Sequence, residues 1–68
     1  MVRIHIRDIN GKRHIMSFKN REDIVTYDWE PFNNENHEIL LVLFGQICLY
    51  SALSNNPITI EDLIGFFA

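Results

Sequence analysis

Twelve of the fifteen residues from Ile39 to Leu53 are apolar, the exceptions being Gly45, Gln46 and Ser51. In a chain of 68 residues, any fold must be built around a block of this size. Its length and flanks read as a helix over residues 35–54. Asn33 or Asn34 stands where a cap belongs, and Glu35 and Glu38 fall in the first turn, where acids suit the helix dipole. Asn55, Asn56 and Pro57 stop it. On a wheel of about 100° per residue, Gln46 has Ile39, Val42, Leu49 and Leu53 beside it, so no polar stripe survives. A helix apolar all round must be covered all round. Fifteen residues of helix reach only about 22 Å, short of the roughly 30 Å of a bilayer's hydrocarbon core. The expectation is therefore a core helix that also supplies a homodimer seam through Val42, Gly45, Gln46, Leu49 and Leu53, with no membrane span. Gly45 would mark the close approach of another backbone.

Nothing in the sequence staples so short a chain. A domain of this length buries only about 60% of its unfolded surface. One cysteine, Cys48, forms no internal disulfide, and His5, His14 and His37 are too scattered for a metal site. No metal and no cofactor are expected. Residues 1–68 read as a single small domain held by packing or oligomerisation. Residues 1–7 alternate, unlike the continuous apolar core of a secretory leader, and a free thiol in an apolar run fits a reducing cytoplasm.

Residues 2–18 read as a β-hairpin. Val2, Ile4 and Ile6 alternate with Arg3, His5 and Arg7, and Asn10-Gly11 signals the turn. Two registers compete. A two-residue Asn-Gly turn pairs Asp8 with Arg13 but sets Ile4 against Ser17. A three-residue loop of Ile9, Asn10 and left-handed Gly11 pairs Ile4 with Met16 and Val2 with Phe18, at the cost of Arg7 facing Arg13. Gathering the apolar side chains on one face outweighs an exposed charge pair worth about 1 kcal/mol at most, so the bulged loop is preferred. The opposite face then displays Arg3, His5, Arg7, Arg13, Ile15 and Ser17. Residues 2–18, with Ile9-Asn10-Gly11-Lys12 in the turn, resemble the opening hairpin of ubiquitin-like folds. That resemblance implies a helix directly after the hairpin.

The residues themselves favour a third strand at 23–30, where Val25, Tyr27 and Trp29 alternate with polar neighbours. The competing reading is a short helix capped by Asn20, with Asp23 closing a capping box. Tyr27 and Trp29 are expected in the core rather than as an exposed hot spot. A last helix at about 60–67 has the clearest local grammar. Thr59 caps it, Asp62 closes the box, Ile58 staples, and Ile60, Leu63, Ile64 and Phe67 share a face. The expected fold is α+β: a three-stranded antiparallel meander (about 2–8, 12–19 and 23–30) packed against a long apolar helix (about 35–54) and a short C-terminal helix.

All six basic residues lie between Arg3 and Arg21, and eight of the nine acids follow them. The basic hairpin face of Arg3, His5, Arg7 and Arg13 is the candidate partner-binding surface. A sequence pI near 5.4 and the lack of interleaved exposed aromatics argue against nucleic acid as its first partner. No catalytic constellation is visible. Cys48 has no base near it and is expected buried and inert, and the three glycines form no phosphate loop. His14 shares the inward face and is expected to be a hydrogen-bonded core or rim histidine. The expected function is a non-enzymatic, cytoplasmic protein-interaction module: an adaptor, regulator or inhibitor of the kind found as phage or mobile-element accessory proteins. It would be homodimeric through the apolar helix. The alternative is a nucleic-acid-binding protein that uses the hairpin face.

Overall fold

Strands β1 (Val2–Arg7) and β2 (Arg13–Phe18) pair antiparallel, with Val2 opposite Phe18, Ile4 opposite Met16 and Arg7 opposite Arg13. This is the bulged register. Asp8 N–H donates to Lys12 O at 2.9 Å, Gly11 N–H donates to Asp8 O at 3.0 Å, and Gly11 sits at φ +81°. The computed structural model describes residues 1–32 and 37–68. The cap expected at Asn33 or Asn34, and Glu35 behind it, fall outside the described residues.

A helix follows the hairpin directly. Helix α1 (Arg21–Thr26) replaces the strand expected at 23–30. The Asn20 side chain accepts from Asp23 N–H at 3.1 Å, and Glu22 and Asp23 occupy the first turn. That local capping decides against the weak alternation of Val25 and Tyr27, both of which are exposed while Ile24 is buried. Trp29 then folds back, and its indole Nε1–H donates to Ile24 O at 2.8 Å, which satisfies a carbonyl at the helix end. Trp29 is a core residue as expected, but from a loop rather than a strand, and Tyr27 stays partly exposed against it. A 3-10 turn, Glu30–Phe32, follows.

Residues 37–54 form no helix. Its apolar residues form a second hairpin, β3 (Glu38–Phe44) and β4 (Ile47–Ser51). Phe44 pairs with Ile47 across a two-residue turn. Gly45 takes φ +61° and Gln46 keeps a negative φ, the Gly-first pattern of a type II′ turn. The mistaken reading has a physical cause. Periodicity cannot separate a continuous apolar run of buried strand from a buried helix, and Leu40, Leu41, Leu43 and Leu49 carry high helix propensity. Gly45-Gln46 splits the run into two pieces of ordinary strand length.

The four strands form one antiparallel sheet in the order β2-β1-β3-β4. β1 is central, pairing with β2 on one side and with β3 on the other, where Ile4 faces Val42 and Arg7 faces Glu38. Leu40 is an extra residue in β3 between the partners of His5 and Ile6, and Leu49 is an extra residue in β4. Helix α2 (Ile60–Phe67) carries the expected capping box: Asp62 N–H donates to Thr59 Oγ1 at 3.1 Å, and Thr59 N–H to Asp62 Oδ2 at 3.0 Å. Ile60, Leu63 and Phe67 turn inward.

Both helices cover the same face of the sheet. The core joins Val2, Ile4, Ile6, Phe18, Ile39, Val42 and Tyr50 from the strands to Ile24, Trp29, Ile60, Leu63 and Phe67. Each fully buried aliphatic side chain here contributes about 1.5–3 kcal/mol.

Gly45 and Gly65 give opposite tests of this hairpin. An added Cβ meets nothing within 4 Å at either position, so backbone preference alone decides. Gly45→Ala should lower stability by about 1–2 kcal/mol, because the turn holds a left-handed φ. Gly65→Ala, inside α2, should raise it by about 0.5–1 kcal/mol. Urea unfolding midpoints read both, and a stabilising Gly45→Ala would restore the helical reading of residues 39–53.

Candidate functional site: the open face of the sheet

Alternation along the strands sends every second residue away from the helices. The register stacks these outward residues into three rows across the sheet. Ser17, Arg3, Leu43 and Cys48 form one row, Ile15, His5, Leu41 and Ser51 the next, and Arg13, Arg7 and Glu38 the third. The basic residues expected on one hairpin face, Arg3, His5, Arg7 and Arg13, do share it. Leu41, Leu43 and Cys48 join them because residues 38–51 form a hairpin where the apolar run predicts a helix. Reading Gly45-Gln46 as a turn would have set Leu41 and Leu43 in alternation with Val42.

The face is divided in character. Its β2–β1 half carries the basic residues with Ile15 and Ser17, and its β3–β4 half carries Leu41 and Leu43 with Cys48, Ser51 and Glu38. Arg7 forms an ion pair with Glu38, so the like-charge contact with Arg13 is offset from the third strand. The pair is half exposed and contributes about 0–1 kcal/mol, so it acts mainly on register and local charge. Arg3 and Arg13 make no ion pair among the described residues. At the Arg7 end, the bulged Leu40 and the segment after β4 frame a concavity of about 470 Å³. Its walls are His5, Arg7 and Arg13 on one side and Leu40, Leu41 and Leu53 on the other. Leu53 is 98% exposed, and Ile15 on the far strand is 61% exposed, while Leu40 and Leu41 are half-buried.

The proposed dimer-seam residues do not share a surface. Val42 is buried in the chain's own core, Gly45 and Gln46 form the β3–β4 turn, and Leu53 borders the open face. Leu49 lines a separate apolar concavity of about 330 Å³ between β4 and α2, with Tyr50, Leu63 and Phe66. Cys48 corrects another expectation: it is exposed, not buried, and its Sγ lies 3.4 Å from Tyr50 O. His14 is a rim histidine as expected, with Nε2 2.7 Å from Asp8 Oδ2 and its ring edge-on to Phe32. Among the described residues no cluster of three His, Cys, Asp or Glu suits a metal ion, and no helix is long and apolar enough to cross a membrane.

Asp8 organises the loop that sets Arg13 opposite Arg7. Its Oδ1 accepts from the backbone N–H of Asn10 and of Lys12, each at 2.9 Å, and Oδ2 accepts from His14. The His14 hydrogen bond, followed by that from Lys12 N–H, holds the Asp8 carboxyl below its ordinary value of 3.8. A carboxylate with a lowered folded-state pKa stabilises the fold above its unfolded pKa, and that stability is lost as pH falls through the folded value. Asp8→Asn should therefore be less stable than the wild type at neutral pH, and the gap should close as pH drops below 3.8. Paired denaturation curves across that range check this, and a gap independent of pH would show that the charge of Asp8 plays no part. No protein-family model matches the chain, and neither a curated protein nor a solved structure matches it.

Proposed function

We propose that this chain is a small, non-enzymatic protein-interaction module that binds its partner through the open face of its sheet. One observation carries the reading: both helices pack on one face, and the other turns exposed Ile15 and half-buried Leu41 and Leu43 outward among Arg3, His5 and Arg13. Apolar side chains beside charged ones are common in protein contacts, and arginines without an ion pair among the described residues favour an acidic partner. Such a module serves as an adaptor, regulator or inhibitor in the cytoplasm. The phage or mobile-element setting rests on small size and composition alone.

The second reading is nucleic-acid binding by the same arginines. Arg3 and Arg13 favour it, being free of ion pairs among the described residues. The acidic remainder of the chain and the lack of aromatics on this face weigh against it.

Affinity capture from lysate, with and without nuclease, separates the two. A protein partner retained after nuclease and lost with Leu41→Asp is the expected result. Leu41 lies outside the core, so the variant should keep its fold, which circular dichroism checks. A catch that needs nucleic acid and falls steeply with salt would establish the second reading instead.

A further inference from the structure

The open face also constrains the form of its occupant. A sheet face offers side chains only, because the backbone hydrogen-bonding groups of its inner strands are spent within the sheet. An extended segment laid across Leu41 and Leu43 would point its own backbone N–H and C=O groups sideways along the surface, where this face offers them no partners. A helix arrives with nearly all of those groups already bonded within itself.

Charge then sets which helix fits. The open face has an aliphatic strip on its β3–β4 side, half-buried Leu40, Leu41 and Leu43 with exposed Leu53. It has cations on its β2–β1 side, of which Arg3 and Arg13 have no carboxylate among the described residues. The acids Glu22, Asp23, Glu61 and Asp62 start the two helices on the far layer and cannot neutralise them. A complementary helix is apolar along one stripe and acidic along the flank beside it. We infer that the open face, taken as the interaction surface above, is the seat of an acidic amphipathic helix from the partner protein, lying over β1 and β3.

A side-chain-stapled helical peptide of about 18 residues, some 27 Å long, tests this directly. It carries Leu at helical spacing and Glu along one flank. A second peptide has Lys for every Glu, and a third has the first one's composition without the stripe. Amide shifts of the isotope-labelled protein are followed during titration.

The expected result is saturable shifts at Ile15, Leu41 and Leu43 with the Glu peptide alone, sparing Ile24 and Leu63 in the helix layer. Arg3→Glu combined with Arg13→Glu should weaken that peptide about tenfold or more and create affinity for the Lys peptide. No saturable shift at millimolar peptide overturns the inference, as does equal binding of the three peptides. A shift of the same amides on simple concentration of the protein would assign the face to a second copy, and a shift with a short DNA duplex alone would assign it to nucleic acid. Loss of the captured partner with Leu41→Asp, together with indifference to all three peptides, would keep the interaction face and reject only the helix.

Discussion

The pairing of β1 with β3 is the constraint on which the rest of the fold depends. The first hairpin is local and has its own turn chemistry, and so does the second. Neither is stable alone, because an isolated two-stranded hairpin in water is marginal at best. Joining them edge to edge, with Ile4 against Val42 and Ile6 against Ile39, makes one sheet wide enough to carry a core. β1 becomes the central strand, and Val2, Ile4 and Ile6 are then almost completely buried. The contact also supplies Glu38 to Arg7, which makes the Arg7–Arg13 juxtaposition in the first hairpin tolerable.

A four-stranded sheet has two faces, and this chain has helices for only one. α1 contributes one fully buried side chain, Ile24, and α2 contributes Ile60, Leu63 and Phe67. Trp29 fills the space beside Phe18 and ties its indole to the end of α1. The result is an asymmetric layer structure with acids starting the helices on one side and arginines on the bare side of the sheet. The bare side mixes Ile15, Leu41 and Leu43 with those arginines, the mixture on which the proposed interaction face rests.

Features set by short-range chemistry were legible from the residues alone. The register of the first hairpin followed from the two-residue period and from Gly11, and it placed Arg3, His5, Arg7 and Arg13 together. The capping box of Thr59 and Asp62 located α2. At Asn20 the same kind of signal was present but was outweighed by the alternation of Val25, Tyr27 and Trp29. Capping prevailed because a short helix needs only Ile24 in the core, whereas a strand there would have had to find an edge.

By itself the sequence determined the turns, the caps and the grouping of the basic residues, because each depends on neighbours a few positions apart. Tertiary structure alone decided the state of residues 39–53. Ile39 to Leu53 is apolar enough to be buried as helix or as strand, and its leucines tilt local preference toward helix. The long-range bonds to β1 settle it as two strands, since an unpaired edge of β1 would leave a row of N–H and C=O groups without partners. That choice gave the open face its apolar half, so the composition of the candidate site emerged only when the two hairpins met.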